Sequence, residues 1–145
     1  MKPLPHRYEV LLNGGATGYA NVSAGSLPNL ASAPPPEFDG PGDAWSPEHL
    51  LLAAVATCFV FSLRAVARAS RVDFTSVELA VEGTVDRRDG QTRFDEIVLR
   101  PRLLLPAGTD SARALRVLDK AERACIVSAS LATPVLVKPE IAREP

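Results

Sequence analysis

Apolar and polar positions alternate along some stretches of this chain and run together in another. Val77, Leu79, Val81, Gly83 and Val85 alternate with Glu78, Ala80, Glu82, Thr84 and Asp86, the period-two pattern of a half-buried strand. Arg88-Asp89-Gly90-Gln91 comes next, and Asp-Gly is a turn pair that accepts positive φ, so residues 92–105 are predicted to return as the second strand of a hairpin. Pro101 lies inside that return strand. Lacking an N–H for the ladder, it implies an edge position or a bulge. Earlier in the chain, Tyr8, Val10 and Leu12 fall on one face of a strand predicted over 6–12, with Asn13-Gly14-Gly15 as its turn and a return between Gly18 and Ala24. Residues 135–141, after Thr133-Pro134, read as a last strand. The proline-rich stretch from Leu27 to Gly42 reads as a connector that covers or approaches the start of the next helix.

That helix, predicted over residues 46–69, is the run on which the chain is centred. Ser46 is placed to cap it, Pro47 to occupy its first position, and Glu48 to favour its positive end. From Leu50 to Leu63 there is no charge, and Thr57 and Ser62 are the only polar side chains. A surface helix carries a polar side; this one is apolar nearly all round and needs cover on nearly all sides. A membrane span, the first rival reading, asks for ~20 apolar residues, more than this run supplies before Arg64 and Arg68. A core helix is the stronger expectation. A second helix is predicted behind Thr109 or Asp110, with Ala114, Leu115, Val117, Leu118 and Ala121 as an apolar stripe among charged residues. A short helical turn is expected near Ser128.

The order of elements is an α+β pattern without regular βαβ alternation, expected to form a single domain over residues 1–145. One small sheet and one amphipathic helix cannot surround the apolar helix, so a homodimer that packs two such helices together is expected. Composition changes the picture only by exclusion. Sixteen basic and 17 acidic residues give a net charge of −1, with no basic excess pointing to nucleic acid or a membrane surface. Two cysteines suit a reducing compartment, and a cytoplasmic location is expected.

The two cysteines, Cys58 and Cys125, leave four readings open. Cys58 can be inert core, since free cysteine is among the most buried residue types. A zinc site would need His6 and His49 beside both thiols, and no CxxC is present. A Cys58–His49 hydrolase has no local signature in its favour. The fourth reading is a redox pair, in which one thiolate attacks a peroxide and the second thiol resolves the sulfenic acid. Cys58 lies beyond the first helical turn, where the positive end acts. A functional Cys58 therefore needs a cation from elsewhere, which Glu48 is suited to position. Glu48 and Cys58 stand roughly 80° apart around the helix and ~15 Å apart along it, so they do not touch within one helix.

The run from Trp45 to Cys58, WSPEHLLLAAVATC, resembles the signature of the OsmC/Ohr superfamily (osmotically inducible protein C and organic hydroperoxide resistance). It has a Pro-Glu pair opening a long helix and a cysteine ten residues after the glutamate. Residues 118–131, LDKAERACIVSASL, are similar to the family's second cysteine segment, and the resemblance extends over almost the whole chain. It implies an OsmC-like fold of two interwoven subunits, with the long helix and the amphipathic helix packed under antiparallel sheets. It also implies an antioxidant, stress-response peroxidase acting on organic hydroperoxides or hydrogen peroxide. In that reading Cys58 attacks, Cys125 resolves and Glu48 positions an arginine. There is no bound cofactor, and regeneration is by an external dithiol of the dihydrolipoyl type. The hydroperoxide-resistance branch carries its activating arginine in the first hairpin. Here no arginine lies between Arg7 and Arg64, which leaves Arg7 or one of Arg87, Arg88 and Arg93 as replacements. That departure supports an alternative, a non-catalytic dimeric member that binds a small apolar ligand at the interface.

Overall fold

In the computed structural model, which describes all 145 residues, Asp89 and Gly90 have φ of 51° and 76°. Positive φ at both turn positions matches the right-handed twist of flanking strands. The turn joins β4 (Ser76–Arg88) to β5 (Gln91–Leu105), the longest ladder in the chain. Preceding elements in chain order are β1 (Leu11–Asn13), β2 (Ala20–Ser23), β3 (Leu30–Ser32) and α1 (Pro47–Ser70). After the hairpin come α2 (Ser111–Ala124), α3 (Ile126–Ala129), β6 (Val135–Val137) and β7 (Glu140–Arg143). The chain divides into two units, residues 1–51 and 52–145.

In the first unit β1, β2 and β3 form an antiparallel sheet in that order. Two expectations are corrected here. The predicted strand over 6–12 shrinks to Leu11–Asn13, and Tyr8, Val10 and Leu12 stay exposed; their alternation has no surface in this chain to pack on. The supposed connector contains β3, which sequence patterning hides because it is only three residues long and prolines flank it closely. A 3-10 turn at Pro36–Phe38 comes next. Gly40 closes the loop: a Cβ there would overlap the Pro34 carbonyl oxygen, so no other residue fits this backbone. The Tyr19 hydroxyl donates to the Asp43 carboxylate at 2.8 and 2.9 Å, tying the loop back to the sheet.

In the second unit β5 lies between β4 on one side and β6 and β7 on the other. β6 and β7 run parallel to β5, so this sheet is mixed, where an antiparallel one was expected. The predicted last strand is broken in two at Lys138-Pro139. Pro101 is therefore not on an edge strand. Leu99 accepts from Lys138 and Leu105 from Glu144, so alternation points the missing Pro101 N–H to the same side. There it meets the gap between β6, paired to residues 97–99, and β7, paired to residues 102–105. The bulge of the hairpin lies at Asp95, between the pairs Thr84–Glu96 and Val85–Phe94. Gly83 keeps the alternation without a side chain because the Phe94 ring and Leu52 occupy that space.

The core of this unit is built from Val55, Phe59, Leu63 and Ala67 of α1, Ile97, Leu99, Leu103 and Leu105 of β5, and Ala114, Val117, Leu118 and Ala121 of α2. Asp110 caps α2, its carboxylate accepting from Ala112 N–H at 2.8 Å; Leu115, expected in the buried stripe, is exposed. By length and composition α1 could cross a membrane, but its buried stripe belongs to this protein core. That stripe is one side only. Phe61 is 60% exposed, and Leu50, Ala54 and Cys58 are half-buried, so the cover expected on nearly all sides of α1 is absent within one chain.

Candidate functional site

Ser46 is fully buried, and its Oγ accepts the His49 backbone N–H at 3.1 Å, which is the cap read from the sequence. The same Oγ lies 2.7 Å from His49 Nδ1, so that ring nitrogen is engaged at the helix start. Glu48 comes directly after Pro47 and lines a cleft of about 340 Å³ with Leu12, Ala20, Ala33, Pro34 and Phe38, all in the first unit. One carboxylate oxygen of Glu48, Oε2, is buried and has no hydrogen-bond partner. The cleft is thus a mainly apolar recess whose wall carries the Glu48 carboxylate and the Ser32 hydroxyl.

The two cysteines belong to the second unit, and both are free thiols. Cys58 is half-buried on α1. Cys125 is fully buried at the junction of α2 and α3. Its backbone is extended (φ −72°, ψ 106°), which breaks the helix and turns the chain; its N–H closes on Glu122 O at 3.1 Å, and its carbonyl accepts from Ala129 at 3.0 Å. Burial pushes the Cys125 thiol up, and Cys58 acts on it in the same direction. Ser128 opposes this by donating its hydroxyl to Cys125 Sγ at 3.3 Å. Glu48 stands ten residues before Cys58, in the first turn of α1.

Two residues of this site escaped the sequence. Ser128 is one. Glu122, one turn before Cys125, is the other: its Oε2 is buried without a partner, and burial raises its carboxyl above the ordinary range, with Ser128 acting in the opposite direction. The signal available was the spacing of Glu122, Cys125 and Ser128, three residues apart each time, although the extended backbone at Cys125 means that they do not share one helix. A glutamate among the charges of an amphipathic helix, however, reads as solvated. As for the replacement arginines, Arg88 is held by Asp95 at 2.8 and 3.1 Å and by Asp86 at 3.4 Å, while Arg7 is exposed.

Residues 40–140 match the sequence profile of the OsmC-like protein family. The uncharacterized protein YmaD of Bacillus subtilis is 30% identical over 121 residues, 81% of this chain and 80% of that protein. An organic hydroperoxide resistance protein of Xanthomonas axonopodis pv. citri is 30% identical over 112 residues, 77% of each chain. Among solved structures, an OsmC-like protein of unknown function from Vibrio cholerae superposes with a TM-score of 0.85 at 15% identity, covering 93% of this chain and 99% of the other. The α+β fold and these matches agree: this chain belongs to the OsmC-like family.

Proposed function

We propose that this chain is a thiol-dependent peroxidase that reduces organic hydroperoxides or hydrogen peroxide. The observation that carries the reading is the pairing of two free thiols, Cys58 half-buried and Cys125 fully buried, within interacting reach. The name of the Xanthomonas relative, organic hydroperoxide resistance, supports the substrate class. The Cys58 thiolate attacks one oxygen of the peroxide, the O–O bond breaks, and the leaving alkoxide takes up a proton as alcohol. Cys58 is left as the sulfenic acid. Cys125 then bonds to Cys58 sulfur, water leaves, and an external dithiol of the dihydrolipoyl type reduces the disulfide. Glu48 serves by positioning a cation.

The working form in this proposal is a cytoplasmic homodimer. The open face of α1, with Phe61, and the exposed side chains of Tyr8, Val10 and Leu12 are the apolar surfaces that a second copy covers. A second reading, a non-catalytic binder of a small apolar ligand, is favoured by the cleft beside Glu48 and by the absence of arginine between Arg7 and Arg64.

Intact mass after stoichiometric organic hydroperoxide separates the two. Loss of two hydrogens and both free thiols without cross-linking supports the peroxidase. Two persistent thiols in excess peroxide would favour the binder. Cys58→Ser is expected to abolish peroxide consumption, and Cys125→Ser to leave a sulfenate that a dimedone-type reagent traps.

A further inference from the structure

From Tyr8 to Leu51 the first unit carries five carboxylates, at Glu9, Glu37, Asp39, Asp43 and Glu48, and no lysine or arginine. The chain as a whole carries only −1, so the remainder is net positive and the negative charge is concentrated here. Four of the five are satisfied in ordinary ways. Glu9, Glu37 and Asp39 are exposed, and Asp43 accepts from the Tyr19 hydroxyl. Glu48 differs. Its Oε2 is buried without a hydrogen-bond partner, and none of the ion pairs within the chain includes it. A buried carboxylate oxygen is costly unless a donor or a cation meets it.

The cleft that Glu48 lines measures about 340 Å³, at the small end of ligand pockets, which run from about 300 to about 1,000 Å³. Ala20 and Ala33 keep its walls short, and Phe38 adds an aromatic surface. Pro34, Pro35 and Pro47 also line it; each has its φ locked by the ring, so the walls are preformed. Ser32, the other polar group of the wall, has committed its proton to Trp45 O at 2.7 Å. The carboxylate therefore decides the charge of what fits. A neutral apolar molecule would leave Oε2 unpaired, and an anion would be repelled. A metal ion is unsuited: calcium asks for about six to eight oxygens, and no three His, Cys, Asp or Glu side chains converge in this chain.

We propose that this recess binds a small organic cation, a primary ammonium group donating to Glu48 Oε2 while its alkyl chain or ring lies against the alanine, proline and Phe38 walls. The proposal rests on the ligand-binding reading of the cleft, which it refines by naming the ligand's charge, and it is independent of the thiol chemistry. The ligand supplies the positive charge that no arginine of this chain supplies to Glu48. The same carboxylate makes the recess selective by repulsion, since a chain that ends in a carboxylate is turned away.

The test is calorimetric titration of the full chain with hexylammonium, hexan-1-ol and hexanoate, which share one chain length and differ in the charge of the head. Hexylammonium is expected to bind about 10- to 100-fold more tightly than hexan-1-ol, and hexanoate not measurably. Glu48→Gln should bring hexylammonium down to the level of hexan-1-ol. Ala20→Leu, which fills the recess and keeps the carboxylate, should weaken both. Glu37→Gln and Asp39→Asn, at exposed carboxylates of the same unit, should leave the affinity within about twofold, because water and salt screen them. Equal binding of hexan-1-ol and hexylammonium, or wild-type hexylammonium affinity in Glu48→Gln, would overturn the cation site and leave the apolar-ligand reading standing. Binding of none of the three would overturn both. Hexylammonium binding to Arg7→Gln but not to the wild type would assign Glu48 to Arg7 and overturn the proposal.

Discussion

Helices α1 and α2 bury stripes of the same width and differ in everything else. α1 buries Val55, Phe59, Leu63 and Ala67; α2 buries Ala114, Val117, Leu118 and Ala121. The α1 stripe recurs every four residues and the α2 stripe follows i, i+3, i+4, i+7, each the pattern of a helix with one buried face. Away from the stripe, α2 exposes Arg113, Arg116, Asp119, Lys120 and Arg123, with an Arg123–Asp119 pair at 2.6 Å. α1 instead exposes Thr57 and Phe61 and leaves Ala54 half-buried. The composition of a helix thus records all of its surroundings, including any that lie outside the chain. α2 is finished by its own unit; α1 is not, and the proposed homodimer is the partner that finishes it.

The largest effects are expected at the buried stripes. Phe59→Ala in α1 should cost about 3–5 kcal/mol and Leu118→Ala in α2 about 2–5 kcal/mol, read as the loss of unfolding free energy in urea. If either is nearly neutral, that helix does not carry the core. The open faces of the two helices should respond in opposite ways. Phe61→Glu on α1 should convert a dimeric mass to a monomeric one in sedimentation, whereas Arg116→Glu on α2 should leave it unchanged; equal behaviour would end the distinction. The helix starts come next: Ser46→Ala and Asp110→Ala should each destabilise by about 1 kcal/mol, measured by thermal unfolding. The smallest effect concerns Glu122. Its carboxyl is raised by burial, so the folded state holds its proton to higher pH than the unfolded chain does. Its contribution is full below the unfolded carboxyl range and is lost as pH rises through the raised value. Glu122→Gln should flatten that part of the stability–pH curve, and an unchanged slope would assign it to other groups.

How much of this was legible beforehand depends on how local each signal is. The Ser46 cap, the Asp89-Gly90 turn and the Asp110 cap depend on a few adjacent residues and were readable at once. The strand over 6–12 was over-read because alternation reports a face to be buried without saying whether this chain buries it. β3 was missed because a three-residue strand among prolines shows no period. Pro101 was misplaced because its missing N–H was set against one neighbouring strand, when two short strands share that side. Cys58, Cys125 and Glu48 emerged as candidates through the family resemblance that their motifs carry. Ser128 and Glu122 did not, because their meaning depends on the extended backbone of Cys125, which turns α3 back toward the end of α2.

The gap opposite Pro101 has a consequence for the far end of the chain. β6 and β7 are held to β5 as two separate clasps, one at residues 97–99 and one at residues 102–105, with Pro139 between them. A pull on the carboxyl end loads the outer clasp first, together with the Arg143 hydrogen bonds to Thr109 O and Ser111 Oγ. The two clasps have no ladder hydrogen bond in common, so the carboxyl-terminal segment is anchored to β5 at two independent places.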